Sequence, residues 1–216
     1  MRVTRDLPTN YRQQASLDLT TSRKAVIGVI FSGIMMLFTV GWLLLQFTST
    51  YRPSAYEGLE FHDLFNNTSS TFAVTFTSQF LMDIVLALVL VLFIHELVHG
   101  FFYWKFTGKC PAFGFKGIFI YVKAPSEFYF PRNQYLIVGM GPLFLLTPIG
   151  LMLIVIVPEV VVQILIFFIA FNVAGAVGDL FMVTHLLSYS PKTYLQDIGT
   201  GVLIYMEPLK KTACSI

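Results

Sequence analysis

The stretch FLMDIVLALVLVLFIHELVHGFFYW, residues 80–104, decides the fold of this chain. Its length suffices for a helix to cross about 30 Å of hydrocarbon. The part from Leu86 to Ile94 is wholly apolar, which indicates a helix and makes an exposed surface segment a poor explanation. Three ionisable side chains follow it, His95, Glu96 and His99, in the pattern HELVH. Because such side chains are costly inside a bilayer, their presence there indicates a functional site.

The HELVH pattern is typical of zinc chemistry. Residues four apart share a face of a helix, so His95 and His99 can present two imidazole nitrogens to one tetrahedral Zn²⁺ ion. Glu96 flanks that pair and can take a proton from a metal-bound water, whose pKa zinc lowers to roughly 7. The alternative is a chance occurrence of a short motif that binds no metal.

The composition indicates a polytopic membrane protein. Of the 216 residues, 56% are hydrophobic and only 12% are charged, about half the charged share of a soluble domain. The first long apolar segment exceeds a signal-peptide core in length, so we expect it to remain in the mature protein. We predict an all-α polytopic membrane protein with four transmembrane helices, at residues 25–47, 80–104, 135–157 and 160–187.

The basic residues predict an orientation. By the positive-inside rule, residues 48–79 face outward, while both termini and the loop at residues 105–134 are cytosolic. This organisation comprises a cytosolic N-terminal arm (1–24), a membrane domain (25–187) and a cytosolic tail (188–216). Of all the lysines and arginines, only Arg52 lies in the outward-facing loop. The others are Arg2, Arg5, Arg12, Arg23, Lys24, Lys105, Lys109, Lys116, Lys123, Arg132, Lys192, Lys210 and Lys211.

The cytosolic loop carries a strand signal. Residues 117–122 read GIFIYV, a β-branched and aromatic run bounded by glycine and by Ala124-Pro125. We expect a short β-hairpin-like structure there. Its role stays open between a structural hairpin and an edge strand to which an unwound substrate peptide is added.

A catalytic zinc ion needs a third protein ligand, and Asp179 is the best candidate. Asp179 and His99 lie equally far from the starts of their predicted helices, which run in the same direction, so they reach similar depths in the bilayer. Gly175 and Gly178 would let the two helices approach closely. A local cap, an ion pair with a cytosolic lysine, or a proton relay are alternative roles for Asp179.

Other polar residues fit the site less well. His185 is a rival ligand, but it lies about 9 Å further along the helix than Asp179 and fits an interfacial position better. Asp83 lies about 18 Å from His95 along one helix and cannot join the site. Asn172 stands two turns before Asp179 on the same face of the helix and is a candidate for supporting the site.

These features together resemble a known class of enzymes. HELVH in a transmembrane helix, the later Gly141-Pro142 and a helix containing residues 172–179 look like site-2-protease-type intramembrane metalloproteases, over residues 80–187. In size and pattern the chain is most similar to small bacterial membrane proteins described as putative zincin peptidases. One departure from the site-2 pattern is Gly175, which stands where a proline is common.

The resemblance implies specific roles and a location. His95, His99 and Asp179 would be zinc ligands, Glu96 the catalytic acid and base, and Asn172 a supporting residue. The protein would be an integral protein of a bacterial cell membrane.

Three classes of function follow from the residues and the resemblance. The first is a zinc-dependent endopeptidase that hydrolyses a peptide bond within or beside the membrane. The second is an ion or proton transporter that uses the same polar residues, and the third is a binding or immunity-type membrane protein with a structural zinc ion. The expected partners are the lipid bilayer and a transmembrane or membrane-associated peptide substrate. The small net charge of +2 gives no argument for nucleic-acid binding.

Overall fold

The computed structural model describes residues 2–57, 59, 77–116 and 119–208, and it contains long helices and short strands. The helices are α1 (Arg23–Tyr51), α2 (Pro53–Glu57), α3 (Ser78–Thr107), α4 (Arg132–Ile156), α5 (Glu159–Gly175) and α6 (Val177–Leu187). The strands are β1 (Arg12–Asp18), β2 (Ala112–Lys116), β3 (Phe119–Lys123), β4 (Phe130–Pro131), β5 (Tyr194–Asp197) and β6 (Gly201–Met206). A 3₁₀ turn, Leu19–Thr21, links β1 to α1.

Four helical segments are long and apolar enough to cross a membrane: α1, α3, α4 and the stretch Glu159–Leu187. The last of these contains both α5 and α6, where the sequence predicted one uninterrupted helix over residues 160–187. The interruption falls at Ala176. Gly175 and Gly178 flank this point, and glycine has a low helix propensity because folding restricts its backbone most.

The chain is mostly helical, but it also contains a four-stranded antiparallel sheet that the predicted all-α class did not include. The strand order is β1-β6-β5-β4. The predicted N-terminal arm contributes β1, which pairs with β6 near the other end of the chain. The sequence of β1, RQQASLD, has no strong apolar alternation of its own, so its partner strand is what places it in a sheet.

The expected hairpin is present as the antiparallel pair β2 and β3. Val122 of β3 pairs with Phe113 of β2 and is buried, whereas Phe113 is exposed. The sequence predicted the strand at residues 117–122, and β3 begins two residues later. Gly117 and Ile118 lie outside the described residues, as do most of the loop at residues 58–76 and the tail beyond residue 208.

The chain divides into two compact units. The first contains Met1–Ile27, Glu96–Gly141 and Gly178–Ile216, and the second contains Gly28–His95 and Pro142–Val177. The helix α3 continues without a break through the point where the division falls.

Close packing of α3 and α4 characterises the first unit. A Cβ atom built on Gly141 would lie 2.5 Å from the ring of Phe102, so a glycine lets the two helices meet there. Beyond that point, Tyr103, Phe130 and Val138 form one buried cluster with the hairpin residue Val122. The strands β5 and β6 contribute a second cluster with Leu186 of α6.

The second unit buries an apolar cluster and a separate polar cluster. Leu44, Ile154 and Val162 belong to the apolar cluster and come from α1, α4 and α5. In the polar cluster, Asp83 accepts hydrogen bonds from the side-chain amides of Gln79 at 2.7 Å and Gln163 at 2.8 Å. Asp83 is therefore held by its own hydrogen-bond partners.

Arg52, the one basic residue predicted on the outer side, caps the end of α4 in this second unit. Its Nη1 atom donates to the carbonyl oxygens of Ile154, Val155 and Val157 at 3.3, 2.7 and 3.1 Å. These carbonyls have no partner further along their helix, and a cation suits the negative end of the helix dipole.

We expect Arg52→Ala to lower the free energy of unfolding by about 2 kcal/mol, because the charged hydrogen bonds to these carbonyls are lost. Chemical unfolding of the detergent-purified protein measures this change. Arg12→Ala is the matched control, since Arg12 is exposed on β1. Equal stability of the two variants would contradict the capping role.

Candidate metal centre

The two histidines of HELVH are buried on one face of α3. His95 and His99 are each 8% exposed, and one helical turn separates them. Glu96, between them in sequence, is half-buried. The segment folds as a helix because it is continuous with the apolar run that precedes it, so the helix itself determines the spacing of the two imidazoles.

The imidazole of His99 is oriented by the backbone of α4. Its Nδ1 atom lies 2.9 Å from the carbonyl oxygen of Val138. A carbonyl oxygen can only accept a hydrogen bond, so Nδ1 carries the proton and the lone pair of the neutral ring is at Nε2. A hydrogen bond from the ring nitrogen that does not ligate the metal to a carbonyl oxygen is typical of metal-binding histidines.

His95 is oriented by the fully buried side chain of Asn172 on α5. The Nδ1 atom of His95 lies 3.0 Å from Oδ1 of Asn172. The other end of the amide, Nδ2, lies 3.2 Å from the hydroxyl of Thr147 and 3.4 Å from the carbonyl oxygen of Pro142. Since that carbonyl requires a donor, the amide orientation is determined, and His95 must also carry its proton on Nδ1. Asn172, the candidate supporting residue of the sequence analysis, therefore lies next to His95.

Asp179 lies in the first turn of α6, next to His99. Its Oδ2 atom is 3.5 Å from Nε2 of His99. One nitrogen each of His95 and His99 and one carboxylate oxygen of Asp179 all lie within 4.8 Å of one another, close enough to hold one metal ion. In the described part of the chain, no other three His, Cys, Asp or Glu side chains form such a group.

The rival ligand His185 is not part of this group. It is exposed near the end of α6, and the centre of its ring is 5.8 Å from that of Tyr189. The interfacial position that the sequence favoured for His185 stays a prediction.

The donor set fits zinc. Two imidazoles and one carboxylate match the nitrogen and oxygen ligands that Zn²⁺ prefers, and three protein ligands leave a fourth position for water or substrate. Both rings carry their proton on Nδ1, so Nε2 is the nitrogen that would ligate the metal. The side chain of Asp179 is 27% exposed, so the protein does not enclose the centre completely.

Glu96 makes a hydrogen bond with the hairpin. The backbone N–H of Val122 in β3 donates to Oε2 of Glu96 at 3.0 Å. This contact and the carbonyl of Val138 are parts of the site that the sequence analysis missed. Nothing in a sequence distinguishes one backbone N–H or C=O group from another, so no signal could have identified them.

A family comparison adds independent evidence. The model of a family described as putative zincin peptidases matches residues 88–195, which is half of the chain. The chain belongs to this family. The match includes the HELVH segment, Asn172 and Asp179, and thus the side chains of this candidate metal centre. No curated protein and no solved structure matches the chain.

We expect the purified wild-type protein to hold about one zinc ion per chain and Asp179→Ala to lose most of it, because two imidazoles alone bind zinc weakly. Asn172→Leu should keep that stoichiometry but bind zinc about tenfold more weakly, since His95 loses its hydrogen-bond acceptor. Elemental mass spectrometry after tag removal and zinc titration measure both effects.

The matched control for these variants is Gln163→Leu. Gln163 is another buried amide of α5, and its side chain bonds to Asp83. We expect Gln163→Leu to bind zinc as tightly as the wild type does. If Gln163→Leu weakened zinc binding as much as Asn172→Leu, general damage to α5 would explain the loss. A wild-type protein without zinc would contradict the metal centre.

Proposed function

We propose that this protein is a zinc-dependent endopeptidase that hydrolyses a peptide bond within or beside the membrane. The observation that carries the proposal is the cluster of His95, His99 and Asp179 ligand atoms on and beside an apolar helix that also bears Glu96. Membership of the zincin peptidase family supports both the metal and the reaction class. A structural zinc site would usually be closed by four protein ligands, whereas this group has three.

Each residue has a role in the proposed reaction. When bound, Zn²⁺ polarises the scissile carbonyl and makes a coordinated water more acidic. Glu96 accepts a proton from the attacking water and returns it to the leaving amine, as a general base and then a general acid. The N–H of Val122 orients the Glu96 carboxylate. Asn172 and Val138 hold the two imidazoles in the tautomer that ligates through Nε2.

The hairpin suggests how a substrate would reach the site. Peptide bonds within a helix are shielded, so a substrate must be extended locally before water can attack it. The N–H of Val122 points to Glu96 and not to β2, so this edge of β3 lies beside the proposed catalytic carboxylate. An extended peptide added along that edge would pass the reacting groups. This supports the edge-strand role for β3.

The proposed orientation has the metal centre toward the cytosol. It rests on the basic residues of the segments around α3 and α4. Cys110 is exposed just after α3, so its chemical labelling can test this orientation.

In a Cys214→Ser background, a membrane-impermeant maleimide should label Cys110 in inside-out vesicles and leave it unlabelled in intact cells. A Tyr51→Cys variant without the native cysteines should show the reverse, because Tyr51 is exposed at the other end of α1. Labelling of Cys110 from outside intact cells would overturn the orientation.

We expect Glu96→Gln to retain the fold and bound zinc while hydrolysis falls by at least about a hundredfold, because the general base is removed. The glutamine amide oxygen can still accept from Val122, so β3 keeps its hydrogen bond. The measurement compares new protein N-termini in membranes of cells that produce the wild type or the variant.

Glu127→Gln is the matched control, since this carboxylate is exposed in the same loop as the hairpin. It should leave the cleavage pattern unchanged. If Glu96→Gln produced the same new N-termini as the wild type, the proposed mechanism would be wrong.

A further inference from the structure

A fully buried carboxylate in the sheet has no part in the site described above. Asp197, at the end of β5, is 2% exposed. Its Oδ2 atom accepts from the N–H of Ala124 at 2.8 Å, and its Oδ1 atom accepts from the N–H of Gly199 at 2.8 Å. The hydroxyl of Tyr103 makes a further hydrogen bond to it. A residue of α3, a residue just after β3 and the turn that follows β5 therefore meet at one side chain.

Two of these segments lead to groups of the metal centre. Tyr103 lies one turn after His99 on α3. Ala124 lies two residues after Val122, the residue whose N–H meets Glu96.

Further contacts link these segments to α4 and to one face of β3. The side chain of Tyr103 hydrogen-bonds to that of Tyr135, one turn before Val138 on α4. Gly199 adopts a positive φ of 92°, and a Cβ atom there would lie 2.5 Å from the ring of Tyr121 in β3. The turn that Asp197 holds therefore also packs against the hairpin.

We propose that Asp197 is a positioning residue of the metal centre, which holds β3, α3 and α4 so that Val122 reaches Glu96 and Val138 reaches His99. This inference rests on the proposed function. It adds to that function a residue outside both the membrane-spanning helices and the stretch matched by the family model.

A carboxylate is the side chain that this position requires. Burial raises the pKa of the Asp197 carboxyl, and the N–H groups of Ala124 and Gly199 act in the opposite direction by stabilising the charged form. Both oxygens must accept, because each faces a backbone N–H group. Asparagine has nearly the same shape, but its amide nitrogen would face one of these donors. Asp197→Asn therefore changes the hydrogen bonds with little change in packing volume.

Cobalt is the probe for this proposal, because Co²⁺ in a zinc site has visible absorption bands that report ligand geometry. The zinc-free protein is titrated with Co²⁺, and the bands and the dissociation constant are recorded. In Asp197→Asn we expect altered bands and about tenfold weaker binding, since the partners that orient His99 are displaced. The structural control is Leu195→Ala, a buried residue of the same strand that packs in a cluster with Leu186, Val202 and Ile204.

Leu195→Ala should lower the unfolding temperature through the loss of core packing, while its cobalt bands and affinity remain those of the wild type. If Asp197→Asn also kept the cobalt bands and affinity of the wild type, the positioning role would be overturned. Equal changes of bands and affinity in the two variants would overturn it as well.

Hydrogen exchange separates this proposal from the proposed function. In metal-free protein, the peptide covering residues 119–124 should exchange faster in Asp197→Asn than in Leu195→Ala, because only the former loses the anchor at Ala124. If the wild type bound no cobalt, the proposed metal centre would be wrong. Faster exchange in Asp197→Asn would in that case still support the placement of β3 by Asp197. Equal exchange in both variants would overturn that placement.

Discussion

The structure depends on the requirement that polar groups in an apolar surrounding find hydrogen-bond partners. His95, Glu96 and His99 interrupt a helix that is otherwise apolar for most of its length. An unpartnered imidazole or carboxylate there would cost several kcal/mol, so other parts of the chain must supply donors and acceptors. Asn172 and the carbonyl group of Val138 supply the acceptors for the two imidazoles, and the N–H of Val122 in β3 supplies a donor for Glu96.

These partners also prepare the site for chemistry. Both imidazoles carry the proton on Nδ1, which places the ligating lone pair on Nε2 in each ring. The same hydrogen bonds that stabilise buried rings thus select the tautomer that a metal ion requires. Close helix packing is a condition for this arrangement, and Gly141 provides it by letting α4 approach Phe102 of α3. A larger residue would move α4 and its carbonyl away from His99.

The sequence predicted the helices better than the sheet, for physical reasons. Apolar length alone identifies a segment that can cross a membrane, and all four such segments were found. The strand β1 lacks that kind of signal, because its seven residues are mostly polar and its partner β6 is nearly two hundred residues away in the chain. The break at Ala176 is a local effect of neighbouring glycines that a hydropathy pattern does not resolve.

The sequence by itself determined the spacing of His95, Glu96 and His99, because the period of a helix is a local property. It also indicated Asp179, whose depth follows from counting along two parallel apolar segments. Only the tertiary structure decided that Asn172 bonds to His95, that Val138 bonds to His99, and that Val122 bonds to Glu96. Two of these partners are backbone groups, which every residue carries alike. Their function is therefore set by position in the fold, which no residue type reveals.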